Sequence, residues 1–132
     1  MHIKTFTPNF KSGAHLAKLF SDDAEQIAKD IEKGLPPKNK SLISTTQYRK
    51  FYDWVMKWEE KGEGLPKDKF DEEILPMVKF LKSKAQYAAT RGHCEKEFKD
   101  FIARCVDKVE TQEELRNFKL FLEAILGFLP RK

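Results

Sequence analysis

The sequence predicts an all-α fold, a single small bundle of about five helices. Apolar residues recur at helical spacing in five segments, and each segment is bounded by capping residues, Gly or Pro. No stretch alternates polar and apolar residues with the period of a strand, and no internal repeat is apparent. A chain of 132 residues with 40% hydrophobic and 35% charged residues fits one globular domain, residues 1–132.

The first two helices are predicted from a cap, a linker and a second cluster of caps. Ser21 is placed to cap a helix that ends at Gly34, and the Pro-rich residues 35–41 read as a linker. Ser44 and its neighbours then cap a second helix, roughly 47–61, closed by glycine. We expect a helical lead-in and linker over residues 1–44 and the helical core over residues 45–130.

Three further helices complete the prediction. A third begins near Asp68 and runs to about Thr90, with a kink or division expected at Pro76. A fourth spans about 95–110 with a one-sided apolar face. The fifth opens with the capping box Thr111-x-x-Glu114 and runs to about Leu129.

The second and fifth helices carry unusually wide apolar faces. Excess apolar surface predicts contact with another chain, although both helices could instead lie centrally in the bundle. The residues predicted for self-association or a subunit interface are Trp54, Trp58, Phe121 and Phe128.

Charge is partitioned along the chain in a way that its net value of +4 conceals. Residues 33–52 and 74–94 hold nine Lys or Arg and no Asp or Glu. A basic face on an otherwise acidic protein favours a polyanionic partner, because each neutralised phosphate releases condensed counterions. The alternative is a set of solvated Lys-rich helix faces.

Basic and aromatic residues alternate on the third helix, where Phe80, Lys84, Tyr87 and Arg91 share a face. Aromatic rings stack on exposed bases while cations hold phosphates, so this mixture suits single-stranded or splayed nucleic acid. The same residues could be core aromatics flanked by Lys stems. Charge and helical phase give RNA-binding candidates Lys50, Lys57, Lys79, Lys82 and Lys84.

Catalysis, metal binding and cofactors are not indicated. The three histidines are far apart in sequence, and no Gly-rich phosphate loop or nucleophile motif occurs. Two cysteines without paired spacing fit a reducing cytoplasm, and no apolar run is long enough for a membrane helix. We expect a non-catalytic cytoplasmic binding protein.

The order of motifs resembles the small subunit of type III-A CRISPR–Cas (Csm) effector complexes over residues 45–128. The segments that carry the resemblance are Thr45-Thr46-Gln47-Tyr48-Arg49-Lys50-Phe51-Tyr52, Glu73-Ile74-Leu75-Pro76 leading into Leu81-Lys82, Tyr87-Ala88-x-x-Arg91, Phe98-x-x-Phe101-Ile102, and Asn117-Phe118-x-x-Phe121-x-Glu123-Ala124-Ile125-x-Gly127-Phe128. Phe128 departs from the family, which often has Tyr there.

The resemblance implies a helical subunit without nuclease activity that stacks in several copies along the guide RNA–target RNA duplex. Its implied partners are guide RNA, target RNA, the other Csm subunits and further copies of itself, in antiviral defence. By position, Arg49 and Arg91 correspond to basic residues of the family motifs. Arg49 also projects toward Asp53 and Glu60, so an intramolecular salt bridge is open for it. A DNA-binding helical domain and a pure protein-interaction bundle remain as alternatives.

Overall fold

The structure is a computed structural model that describes residues 2–130, and this part of the chain is all-α. The single domain over residues 1–132, with its division at residues 44 and 45, remains a prediction. Met1, Arg131 and Lys132 lie outside the described residues. Five helices have seven or more residues, which confirms the predicted fold class. The helical segments are α1 His2–Thr5, α2 Leu16–Lys18, a π-helical segment Leu19–Asp23, α3 Ala24–Lys33, α4 Thr45–Gly62, α5 Lys67–Lys69, a second π-helical segment Phe70–Ile74, α6 Leu75–Lys79, α7 Leu81–Thr90, α8 Lys96–Asp107 and α9 Gln112–Phe128.

Side-chain caps fix the starts of the two longest helices. The Ser44 hydroxyl accepts a hydrogen bond from the backbone N–H of Gln47 at 3.2 Å, so α4 begins just after it. Thr111 caps α9 in the same way through the N–H of Glu114, at 3.1 Å. The Glu114 carboxylate accepts from the N–H of Glu110 at 2.8 Å, so only half of the predicted capping box forms.

The predicted cap at Ser21 is wrong. The helical region begins at Leu16, and Ser21 lies inside the π-helical segment, where its hydroxyl donates to the Ala17 carbonyl at 2.6 Å. The end of α3 is as predicted. Gly34 has a φ of 75°, and a side chain there would collide with the carbonyl oxygen of Lys40.

The interruption predicted for the third helix occurs in two parts. Pro76 has no N–H to donate, and the helix widens into its π-helical segment immediately before this residue. There the N–H of Leu75 bonds to the carbonyl of Phe70. A turn at Phe80 then separates α6 from α7, so one predicted helix is divided into consecutive segments.

The core forms around α9, which packs against α3 and α4. Its inner face is fully buried over Leu115, Phe118, Phe121, Leu122 and Ile125. The wide apolar face of α9 is therefore mostly interior, as the central-helix alternative requires. The apolar face of α8 is also buried, over Phe98, Phe101, Ile102, Cys105 and Val106, which confirms a one-sided helix.

The N-terminal segment is an integral part of the bundle. Ile3 and Phe10 are buried in the core. The N–H of Ile3 donates to the Asp30 carboxylate at 2.8 Å, and the amide of Asn117 donates to the Phe10 carbonyl at 2.7 Å. The Arg104 guanidinium donates to the Ile3 carbonyl. Two buried polar side chains and the partly buried Arg104 thus satisfy backbone groups of a segment that has little helix of its own.

Candidate nucleic-acid interface

The first acid-free segment is partly neutralised in space. Lys38 and Lys40 lie 3.4 and 3.3 Å from the carboxylate of Glu95, just before α8. Partial burial raises the pKa of Glu95, but the hydrogen bonds and charges of the two lysines outweigh it and leave that pKa below its usual value. The linker carrying these lysines is held there, because the N–H of Glu95 donates to the Leu42 carbonyl at 2.8 Å.

The second acid-free segment is neutralised on one side. The Lys79 ammonium lies 2.9 Å from the Glu110 carboxylate and also donates to the Val106 carbonyl at 3.0 Å. Lys82 pairs with Asp107 at 2.7 Å. These pairs tie α6 and α7 to the end of α8, and we call them the α8 seam.

A groove of about 440 Å³ lies on the other side, between α4 and α7. Both helices supply walls to it, and none of its lining residues is acidic. We call it the α4–α7 groove, defined by Gln47, Lys50, Phe51, Phe80, Leu81, Ser83, Lys84, Tyr87, Ala88 and His93. Its opening carries two exposed aromatic side chains, Phe80 at 49% and Tyr87 at 58% exposure.

Aromatic side chains continue from the groove along α4. The ring of Trp54 lies 6.1 Å from Phe80 and 6.0 Å from Trp58, measured between centroids. The indole N–H of Trp54 donates to the Met77 carbonyl at 2.9 Å, which fixes this ring against α6. Trp54 and Trp58 are half-buried, so their exposed edges extend the aromatic surface beyond the groove.

Cations cover these rings. The Lys84 ammonium lies 4.4 Å from the centroid of Trp54, and the Arg91 guanidinium lies 4.5 Å from that of Tyr87. Lys57 lies 5.6 Å from Trp54 and 5.2 Å from Trp58, within the range of cation–π attraction. Lys61 lies 5.8 Å from Trp58.

The structure separates the predicted RNA-binding residues into three groups. It brings Lys50, Lys57, Lys84 and Arg91 to the groove and the adjoining tryptophans, where they have no ion pair within residues 2–130. Lys79 and Lys82 belong to the α8 seam. Arg49 is exposed on α4 and does not line the groove, and no salt bridge to Asp53 or Glu60 is present.

The predicted interface residues also differ in position. Phe121 is fully buried and its ring packs 5.9 Å from those of Phe6 and Phe10, so its prediction as a surface contact is wrong. The prediction rested on the width of the apolar face of α9, and that width alone does not indicate which of its rings the bundle covers. Phe128, at the end of α9, is 46% exposed and remains available to a partner.

Three polar residues that line the groove, Gln47, Ser83 and His93, were not among the predicted RNA contacts. Gln47 lies one turn before Lys50 and Phe51 on the same helix face, and this spacing is a usable signal. Ser83 and His93 could not be assigned without knowing that α7 packs beside α4.

Reactive and metal-binding groups are sparse in the part of the chain that the structure describes. No group of three or more His, Cys, Asp or Glu side chains could hold a metal ion there. Burial raises the pKa of Cys94 to about 11 and also raises that of Cys105, so both thiols stay protonated at neutral pH. No helix within residues 2–130 has both the length and the apolar character that a bilayer span requires.

Comparison with known proteins gives one family. Residues 14–129 match the family model described as Csm2 Type III-A. No curated protein and no solved structure matches the chain. The matched range includes α2 to α9 and all residues of the α4–α7 groove.

Proposed function

We propose, from the premise that this chain belongs to the Csm2 Type III-A family, that it is the subunit that binds RNA along a type III-A CRISPR effector complex. Membership in the family implies a small subunit that assembles with other Csm subunits. The proposal adds that the subunit cuts nothing itself and stacks in several copies along the guide RNA–target RNA duplex. In antiviral defence it would help to hold the target strand.

The observation that carries this proposal is the set of cations around the α4–α7 groove that have no carboxylate partner in residues 2–130. Lys50 and Lys84 line the groove, Arg91 stacks on Tyr87, and Lys57 lies over Trp54 and Trp58. A paired lysine must lose its carboxylate before it can neutralise a phosphate, whereas these cations are available at once. Phosphates that bind here would release condensed counterions, which is the main source of affinity for a nucleic-acid backbone.

Stacking of copies needs a protein contact separate from the RNA surface, and Phe128 is suited to it. Its ring is 46% exposed at the end of α9 and it is not part of the groove. Trp54 and Trp58 contact cations of the groove side, so we propose RNA rather than another copy of the chain for them. Large aromatic side chains are enriched at protein–protein interfaces.

The test is the affinity of the free protein for labelled single-stranded RNA of about 12 nucleotides, measured by fluorescence anisotropy over a range of salt. Four to six phosphate contacts predict a slope of log K against log salt of roughly −3 to −4. Replacing four groove cations by Gln should make the slope about 3 less steep. The variant is Lys50→Gln, Lys57→Gln, Lys84→Gln and Arg91→Gln.

A matched control removes the same formal charge from lysines that are already paired with carboxylates and do not line the groove. Its slope should equal that of the parent. The control variant is Lys18→Gln, Lys67→Gln, Lys69→Gln and Lys96→Gln, whose partners are Asp23, Asp71, Glu72 and Asp100. Equal losses in both variants would mean that net charge alone attracts RNA, and would contradict the proposed site.

The same titrations decide between the alternative functions. A parent protein whose weak binding does not respond to salt would be a protein-interaction bundle with solvated lysines. A clear preference for duplex DNA over RNA would favour a DNA-binding domain. Affinity purification from the native host would show whether short guide RNA and the other Csm subunits accompany the protein.

A further inference from the structure

The α4–α7 groove has features that phosphate binding alone does not require. Its volume of about 440 Å³ falls within the range of small-ligand sites, and its walls are mostly apolar. Phe51, Leu81 and Ala88 form its floor and are buried. A phosphate held only by lysines gains nothing from an apolar floor, whereas a flat ring loses water-exposed surface there.

The aromatic side chains at the opening can stack on such a ring. Tyr87 is 58% exposed, and the guanidinium of Arg91 occupies one face of its ring. Phe80 is 49% exposed and has its partner Trp54 on one side only. Every nucleobase has a π face, and stacking on exposed aromatic side chains is a general means of binding unpaired bases.

Polar groups with unused hydrogen-bonding capacity also line the groove. The side chains of Gln47, Ser83 and His93 make no hydrogen bond within residues 2–130. An amide offers both donors and acceptors, and a hydroxyl or imidazole offers one or both. These are the groups that recognise the edges of splayed bases.

We propose that the α4–α7 groove binds one unpaired base of the RNA strand, while Lys50 and Lys84 hold the phosphates on either side of it. This inference rests on the proposed function, since it specifies what part of the RNA enters the site. The groove has no acidic lining residue, so a nucleotide's charge meets no repulsion there. The occupant is a base within a strand, because the cations extend along α4 well beyond the groove.

The test compares two strands of about 12 nucleotides with the same sugar–phosphate backbone, one with uracil bases and one abasic. The parent should bind the base-bearing strand at least about fivefold more tightly, with nearly the same salt slope for both. Tyr87→Leu should remove most of this difference. Phe128→Leu, which removes another exposed aromatic ring that lies outside the groove, should leave this difference intact.

A second variant fills the groove without removing an aromatic ring. Ser83 is exposed in the first turn of α7, so Ser83→Leu should fold normally while its side chain occupies the space for the base. It should reduce the preference for the base-bearing strand and leave binding of the abasic strand unchanged. Circular dichroism would confirm that both groove variants retain their helices.

Equal affinity of the parent for the two strands would overturn the base-binding proposal. The phosphate-binding function would still hold if the variant with four cations replaced by Gln bound RNA more weakly than the parent. If the affinity of the parent for RNA did not depend on the salt concentration, the proposed function itself would be wrong. Uridine monophosphate provides a third arm. If it competes as strongly as the oligonucleotide, the groove is a site for free nucleotides and the proposal is wrong.

Discussion

The two halves of the acid-free segment 74–94 behave differently although each carries two basic residues and no acidic one. Lys79 and Lys82 pair with carboxylates at the end of α8, whereas Lys84 and Arg91 lie over Trp54 and Tyr87. The first half therefore stabilises contacts between helices, and the second leaves its charge available to a ligand. A run without acidic residues identifies an interaction surface only where no acidic residue approaches from elsewhere in the chain.

The largest expected effect is a difference in RNA affinity between variants of the two halves. Lys84→Ala with Arg91→Ala removes two unpaired cations, so affinity for single-stranded RNA should fall on the order of tenfold at about 0.1 M salt. The salt slope should become about 1.4 less steep. The matched pair Lys79→Ala with Lys82→Ala removes the same formal charge from the same segment and should change the slope little. Anisotropy titrations check both, and equal losses would abolish the distinction.

The sequence predicted the local features of this comparison well and its partners poorly. Caps at Ser44 and Thr111, the end of α3 and the interruption at Pro76 follow from residues within one or two turns. Charge pairing does not follow from such local sequence. Lys79 and Glu110 are 31 residues apart, and their approach depends on how α6 packs against α8.

The candidate site illustrates the same limit. Phe80, Lys84, Tyr87 and Arg91 were predicted from one helix face, and they do lie together on the surface. The groove itself required α4 as a second wall, which no single-helix pattern specifies. The prediction for Phe121 was wrong for a related reason, because a wide apolar face on one helix does not indicate which of its rings the N-terminal segment covers.

A second prediction sharpens the separation of RNA contact from protein contact. Phe128→Glu places a charge at an exposed ring outside both the groove and the α8 seam. If copies of the subunit associate through this ring, analytical ultracentrifugation should show a shift toward monomer of about tenfold or more in the association constant, since burying an unpaired carboxylate is unfavourable. Far-ultraviolet circular dichroism should be unchanged.

The groove side provides the complementary variant. Trp58→Glu should weaken RNA binding by removing the ring that Lys57 and Lys61 approach, and should affect self-association less than Phe128→Glu does. A parent that sediments as a monomer at high concentration would contradict a role for Phe128 in self-association. If Trp58→Glu became monomeric while Phe128→Glu did not, the protein contact would lie on the groove side and the proposed role of Phe128 would be wrong.

A third prediction concerns stability, for which the first half of segment 74–94 should matter more than the second half. Lys79→Ala with Lys82→Ala removes both ion pairs of the α8 seam and the hydrogen bond to the Val106 carbonyl. Because these side chains are partly exposed, we expect a loss of about 1 kcal/mol in the free energy of unfolding. Lys84→Ala with Arg91→Ala should lose less. Urea denaturation measures both, and a larger loss for the groove pair would contradict the assignment.

The smallest expected effect tests whether pairing in the first acid-free segment also stabilises the fold, through Glu95 with Lys38 and Lys40. The pKa of Glu95 is lowered in the folded protein despite partial burial, because two lysines favour the charged carboxylate. Its stabilising contribution should be complete above the unfolded pKa of about 4.3 and lost as the pH falls through the lower folded pKa. Glu95→Gln should therefore lower the melting temperature slightly at neutral pH, and the difference from the parent should shrink below about pH 4. A difference independent of pH would show that Glu95 acts through packing or capping of α8 rather than through its charge.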